Sequence, residues 1–357
     1  RKIVEKINAD INSFSITTYL LAIAFPETST VEFFNVCTDI IHRKKGYATY
    51  LLYYVLKYYI NVMYVLTIIS LVLWYLFAYV PGVYEIGGQI YQSFVKPISI
   101  YSLETRQNII LYTNDYWLLD KLPRNAGPFW EPGAFGVFLV IGILFNTIVN
   151  QKLFNKKNYI FIIALITTFS LGAYTSLFIF LYIYTFLILK FKPSTFLLSL
   201  IILLIAFYAY NSFDFLGNKM VTSFEKSKSF DSNLSYEDLT YRVGRNEQVI
   251  LDLNSFIQNP FFGEGQFIKY EYGASASGLT AFLRKWGIFG FILVFGSMLK
   301  SFKTYSRIAG INKRYAYLCL ITLISITLTQ SLYGKPLFLA FSFIFLVFNY
   351  KRTTMIR

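Results

Sequence analysis

Composition and charge placement predict an all-α polytopic integral membrane protein. We read it as a single transmembrane domain over residues 1–357, with about 8–10 transmembrane or re-entrant helices and two large extracytoplasmic segments. Three observations carry this. Of the 357 residues, 55% are hydrophobic and 20% aromatic, more than one soluble core of this size could hide. Only 15% are charged, against about 25% in an ordinary soluble domain. The apolar residues fall in runs of about fifteen to twenty, the length that crosses a bilayer.

The first apolar run, Ile11–Phe25, is broken by Pro26 and mixed with Ser and Thr. Tyr47–Ile60 is rich in Tyr and carries Lys57, a composition that predicts an interfacial helix leading into the next span. The clearest spans are Asn61–Val80, Pro132–Val149, Pro193–Tyr210, Ala276–Leu299, Tyr315–Leu332 and Pro336–Tyr350. Between them Tyr159–Leu189 runs without a charge. As one helix it would be about 46 Å long, well beyond the ~30 Å hydrocarbon core. Two short helices broken at Ser170-Leu171-Gly172 fit better.

Charge supports the break. The connections Gln151–Asn158, Lys190–Lys192 and Lys300–Arg314, with the tail from Lys351, hold many Lys and Arg and no acid. Two crossings by Tyr159–Leu189 place all four on one face, as the positive-inside rule asks; one crossing does not. The C-terminus is then cytoplasmic, and Pro81–Glu131 and Asn211–Ser275 (residues 81–131 and 211–275) lie outside. The second of these holds nine acids and six bases, the first five acids and four bases. The two outside segments are thus net −3 and −1, so the rest of the chain carries +18; this balance is a topology signal and gives no reason to invoke nucleic acid. The chain opens with Arg1 and without a signal peptide, which suggests that earlier helices precede it in a longer protein.

Several chemistries are excluded by count. Two cysteines, Cys37 and Cys319, supply neither a disulfide scaffold nor a cysteine-zinc cluster. One histidine, His42, removes most histidine-metal sites and nearly all Ser-His or Cys-His nucleophiles. It also sits beside Arg43, Lys44 and Lys45, on the cytoplasmic side. No paired acid cluster has metal-ligand spacing, and Gly263-Glu264-Gly265 lacks the further glycines of a nucleotide loop. We expect no metal and no cofactor.

Long structured loops usually carry function. In the first outside segment, Arg124 and Glu131 flank a Pro/Gly-rich turn that runs into a helix starting at Pro132. One reading makes Arg124 an anion clamp and Glu131 a proton acceptor. The other makes Glu131 a helix-capping acid paired with the arginine. In the second segment Arg242 and Arg245 stand three apart, so on a helix they share a face and suit the paired oxygens of a diphosphate. They serve equally as a solvated face pairing with Glu237, Asp238 or Glu247. Glu264, between two glycines, reads as a solvated loop acid. Lys335 in the turn Tyr333–Pro336 could add positive charge to a site or snorkel to headgroups; Lys121, at the head of the Arg124 stretch, is a further candidate for holding substrate.

Three stretches together resemble the bacterial O-antigen and capsule repeat-unit polymerases (the Wzy type) of the O-antigen ligase/polymerase superfamily. The first is Arg124-Asn-Ala-Gly-Pro-Phe-Trp-Glu-Pro-Gly-Ala-Phe135, like the segment these polymerases carry before a central span. The second is Gly244-Arg-Asn-Glu followed by Asn259-Pro-Phe-Phe-Gly-Glu-Gly265, similar to the superfamily's pattern in the large outer loop. The third is Ser277-Gly-Leu-Thr-Ala-Phe-Leu-Arg-Lys-Trp-Gly-Ile-Phe-Gly290, like the span that follows. Ligase-branch members usually carry a histidine near the slot occupied here by Ala276 and Ser277. Its absence favours polymerase over ligase. A Ser-Arg pair common between the short central helices is Ser170-Leu171 here.

The resemblance implies a metal-independent glycosyltransferase of the bacterial inner membrane with its site on the periplasmic face. Its substrate and partner would be an undecaprenyl-diphosphate-linked oligosaccharide, with membrane lipid around it and a chain-length regulator protein as an admitted further partner. Arg124, Arg245 and Glu131 are then the expected catalytic residues, and Arg242, Lys335 and Lys121 the expected substrate-binding ones. A lipid-linked oligosaccharide flippase is the reading from another class. Transporters line a path with charges inside their spans and often repeat their halves, and neither feature stands out in this sequence.

Overall fold

A computed structural model describes residues 47–95, 106–109, 111–115, 123–189, 244–265, 277–332 and 338–342. The predicted spans at Ile11–Phe25 and Pro193–Tyr210, and most of Pro336–Tyr350, lie outside these residues.

The first element, α1 (Tyr47–Tyr79), is one continuous helix of 33 residues. The sequence separates an interfacial helix at 47–60 from a span starting at Asn61; the structure joins them. No Gly or Pro occurs between Tyr47 and Tyr79, so nothing interrupts the hydrogen-bond ladder until Pro81-Gly82, where Gly82 takes a left-handed φ of 82°. The short helix α2 (Val83–Ile90) follows and widens into a π turn over Tyr91–Val95.

The segment predicted to be purely helical or looped also forms a small antiparallel hairpin. Its strands β1 (Arg106–Asn108) and β2 (Thr113–Asp115) pair Arg106 with Asp115 and Asn108 with Thr113. Buried Tyr112 stacks on Phe77 of α1 at 5.4 Å between ring centroids. Burial pushes its phenol well above the usual range.

The core is built around α3 (Pro132–Asn150), which is buried along almost its whole length. Around it pack α1, α4 (Lys156–Thr167), α5 (Leu171–Leu187) and α8 (Arg314–Thr327). Small residues allow the close approach: a Cβ added at Gly136 would collide with that of Ala173 on α5, and one at Gly142 would stand 3.3 Å from the Phe161 ring on α4. A buried amide network closes the α3–α4 hairpin. Nδ2 of Asn146 donates to Oδ1 of both Asn155 and Asn158 at 2.7 Å, and Asn158 donates to Thr147 at 3.1 Å. Asn155 caps α4 by accepting from the Asn158 amide.

The uncharged stretch Tyr159–Leu189 is two helices, as its length demands. The break falls at Thr168-Phe169-Ser170, slightly before the predicted position. Phe169 adopts φ 44°, and the Ser170 hydroxyl caps α5 by accepting from the Ala173 amide at 3.4 Å. The helix α4, with 12 residues, is only about 18 Å long.

Helix α6 (Arg245–Gln258) lies against α7 (Gly278–Ile308). The predicted basic connection Lys300–Arg314 is mostly helical, because α7 continues to Ile308 and only a short turn with Gly310 at φ 67° leads to α8. By length and composition three described helices can cross a membrane: Tyr53–Tyr79 within α1, α3 and α7. The outward faces of α1 and α7 expose Val65, Val72, Ile292 and Leu293, the surface a helical membrane protein turns to lipid.

Candidate functional site

The N-terminal ends of α3, α5 and α7 converge on residues 327–331, just past α8. A Cβ at Gly133 would stand 3.2 Å from Nε2 of Gln330, 3.4 Å from Oγ of Ser170 and 3.5 Å from Oε1 of Glu131. One at Gly172 would meet Thr329 at 2.8 Å, and one at Gly278 would meet the Gln330 carbonyl at 2.5 Å. Three helix ends of partial positive charge therefore face one neighbourhood.

Glu131 stands at this point as the residue before α3, with extended φ −157° and Pro132 behind it. Its carboxylate makes no hydrogen bond to the amides of its own helix. Instead Oε1 accepts from Nε2 of Gln330 at 2.6 Å. The capping reading of Glu131 is thereby corrected: this acid is aimed across the bundle, and Gln330, 199 residues away in sequence, fixes its direction.

Arg124 reaches the same helix break from the other side of the Pro/Gly-rich turn. Its Nε donates to the Thr168 carbonyl at 3.1 Å. The turn itself is rigidly held. The backbone N–H of Asn125 donates to the Thr167 carbonyl at 2.9 Å, its amide side chain donates to the Thr167 hydroxyl at 3.0 Å, and its Oδ1 accepts from the Gly127 amide. Trp74 of α1 donates to the Pro123 carbonyl at 2.8 Å. Phe129 stacks on Phe138 with centroids 4.5 Å apart. Arg124 and Glu131 stand seven residues apart in sequence. Arg124 ends at the Thr168 carbonyl, and Glu131 ends at Gln330 beside Gly133, which Ser170 also flanks.

Arg245 is the first residue of α6, following an extended Gly244. Glu247 folds back over Gly244, where an added Cβ would collide with its carboxylate. This is the reach of an acid at the third helical position toward the cap residue. Arg242, Lys121 and Lys335 lie outside the described residues, so of the six predicted site residues the structure places Arg124, Glu131 and the backbone of Arg245. Among the described residues no group of three or more His, Cys, Asp or Glu side chains gathers as a metal would require.

A second polar cluster ties α6 to α7. Arg284, 3% exposed, lies with Nη1 3.2 Å from Oδ1 of Asp252, which is completely buried. Oδ2 of Asp252 accepts from the Thr280 hydroxyl at 2.7 Å. Oε2 of Glu264 stands 3.9 Å from Nε of Arg284, with only 13% of the Glu264 side chain exposed. Glu264 is thus not the solvated loop acid its flanking glycines suggest. Sequence reading missed Arg284, Asp252 and Gln330. Asp252 and Arg284 are 32 residues apart and share no spacing rule; the one available signal is a charged residue, Arg284, within an apolar span.

Backbone pairing holds the cluster. Within α7, Gly287 adopts φ 60°, ψ −168° and breaks the ladder. The carbonyls of Arg284 and Lys285 accept from the amides of Glu264 and Gly265, and the amides of Ile288 and Phe289 donate to the carbonyls of Pro260 and Phe261, all between 2.8 and 3.1 Å. The Asn259–Gly265 stretch therefore fills the helix break.

The two clusters are continuous through the first turn of α7: Glu131 bonds Gln330, the Gln330 backbone abuts Gly278, and Thr280 bonds Asp252. Arg245 lies two turns before Asp252, about 10 Å along α6.

The fold and this junction define a helical protein with helices long and apolar enough to cross a membrane and a polar site where helix ends meet. Comparison of the chain with protein-family models, curated proteins and solved structures gives no match to any of them.

Proposed function

We propose that this protein polymerises undecaprenyl-diphosphate-linked oligosaccharide repeat units into O-antigen or capsular polysaccharide, on the extracytoplasmic face of the bacterial inner membrane. The observation that carries the reading is Glu131, a carboxylate at the junction of three helix ends that is oriented by Gln330 and not spent on its own helix. The three sequence stretches resembling repeat-unit polymerases support it: they include the turn before α3, the α6–loop unit and the α7 start, and Asp252 of α6 accepts from Thr280 near that start.

In this reading an acceptor hydroxyl of one lipid-linked repeat unit attacks the anomeric carbon of the growing glycan. The new glycosidic C–O bond forms as the bond to the lipid diphosphate breaks, and the diphosphate departs with the electron pair. Glu131 takes the hydroxyl proton. Arg124 and Arg245 offset the charge developing on the diphosphate, with the helix ends adding to their field. Arg242, Lys121 and Lys335 are proposed to hold the anionic carrier.

The test is a glycan ladder. Expression of the full-length protein in a strain lacking its own polymerase is expected to restore a ladder of surface glycan on a gel. Glu131→Gln and Arg245→Ala, at equal protein level by blot, are expected to leave a single-repeat band. A loss of ~10²-fold fits removal of one general base or one charge-stabilising donor. A full ladder from Glu131→Gln removes the base assignment.

A flippase is the second reading, and Arg284, a buried charge within α7 paired with Asp252 of α6, favours it. Repeat units trapped on the cytoplasmic leaflet in the absence of the protein would select it over polymerase.

A further inference from the structure

Helix α6 carries apolar side chains on its outward face as well as its inward one. Gln248, Leu251 and Asp252 are buried, while Leu253 and Ile257 point outward, Ile257 with 71% of its surface exposed. The turn that follows continues this surface: Phe262 is 77% exposed and Phe261 also projects outward. Both rings lie against Phe289 of α7, at centroid separations of 5.1 and 5.8 Å, and Phe289 is itself exposed. One turn further along α7 come exposed Ile292 and Leu293. Exposed apolar side chains thus extend from α6, past exposed Gln258 and Asn259, across the Phe-Phe turn and onto the outward face of a helix long and apolar enough to cross a membrane. Water would penalise such a gathering of exposed apolar side chains, and the acyl-chain boundary of a bilayer accepts it.

We propose that α6 and the Phe261–Phe262 turn are seated among phospholipid acyl chains, in the leaflet at the N-terminal end of α7. The α6 unit is then a membrane-embedded paddle and not a water-exposed loop. The occupant of the surface is lipid because the surface is continuous with the lipid-facing side of α7. The pairing of Asn259–Gly265 into the Gly287 break fixes the depth: the turn lies level with Arg284–Phe289, about 9–16 Å along α7 from Gly278. Aromatic rings at such a depth occupy the boundary beneath the headgroups, where Phe, Trp and Tyr anchor helices. The inference rests on α7 lying in a bilayer and is independent of the polymerase chemistry.

The experiment uses the full-length protein with Cys37→Ser and Cys319→Ala, reconstituted in phosphatidylcholine–phosphatidylglycerol vesicles. A single cysteine is introduced as Phe262→Cys, Ile257→Cys, Leu293→Cys or Lys313→Cys and labelled with an environment-sensitive fluorophore. Nitroxide-labelled lipids then report contact with acyl chains, and iodide reports contact with water. The labels at 262 and 257 are expected to be quenched by lipid nitroxide as strongly as that at 293, several-fold more than at 313, and to resist iodide. Two exposed positions are used so that the result does not rest on one variant. If 293 is quenched by lipid while 257 and 262 respond to iodide, the paddle lies in water and the proposal is overturned, with α7 still in the bilayer. If 257 and 262 resist both quenchers, protein covers the face and the proposal is overturned equally. If 293 also fails to respond to lipid, the membrane placement of α7 falls, and the proposal with it.

Discussion

Arg284→Leu is expected to cost about 3–5 kcal/mol of stability, a loss of more than a hundredfold in the folded-to-unfolded ratio, because it strands a buried charge. Asp252 is completely enclosed, and it loses the cation that faces Oδ1 at 3.2 Å when the guanidinium is gone. Glu264, largely buried beside the same arginine, loses its cation as well. Asp252→Leu should cost a similar amount by leaving Arg284 enclosed without its nearest carboxylate. The double variant Asp252→Leu/Arg284→Leu removes both charges and should recover much of the loss, since apolar replacement of a buried pair is often neutral. Denaturant unfolding of the detergent-solubilised protein, run as a double-mutant cycle, measures the coupling. Single variants that lose no more than the double one would show that the pair contributes nothing to holding α6 on α7.

Gly287→Ala is the second large effect expected. The backbone at φ 60°, ψ −168° lies in a region essentially confined to glycine, where other residues cost about 1–3 kcal/mol. The new Cβ would also collide with the Phe261 carbonyl and stand 2.7 Å from the Phe262 amide nitrogen. Both faults push the same way. The substitution should drive α7 toward a regular helix and expel the Asn259–Gly265 stretch. Hydrogen exchange is the readout: the amides of Glu264 and Gly265 should lose protection, while those of Ile288 and Phe289 stay protected by pairing with the Arg284 and Lys285 carbonyls in the straightened helix. Gly296→Ala provides the control. Nothing lies within 4 Å of the position its Cβ would take, so replacing glycine in that helix should be neutral or stabilising by up to ~1 kcal/mol. Unchanged exchange at Glu264 and Gly265 in Gly287→Ala would show that the pairing does not depend on the glycine.

Much of the architecture is legible in residue order. The break near Ser170 follows from comparing a 31-residue apolar run with the bilayer thickness of about 30 Å, and Ser170 is a good cap residue. The start of α3 follows from Glu131-Pro132. Other features are opaque for identifiable reasons. The tyrosines and Lys57 of 47–60 look interfacial, but continuity of α1 is decided by the absence of any Gly or Pro, a weaker signal than composition. Glu264 looks solvated because acids between glycines usually are, and only the fold brings Arg284 over it. The direction of Glu131 depends on Gln330, a partner no local pattern can supply. Arg124 and Glu131 could be singled out from chemistry and spacing, whereas the Asp252–Arg284 pair required the packing of α6 on α7.

The break in α7 also says where the information for bending that helix resides. Four backbone groups at Arg284, Lys285, Ile288 and Phe289 find their partners in the Asn259–Gly265 stretch, outside the helix. In hydrocarbon each unpartnered group would cost several kcal/mol. An isolated peptide of residues 278–308 has no such partners and would recover its own ladder by straightening, as a rod of about 46 Å. The bend is thus borrowed from a distant part of the chain, and a fragment excised from its parent would misreport the shape that parent needs.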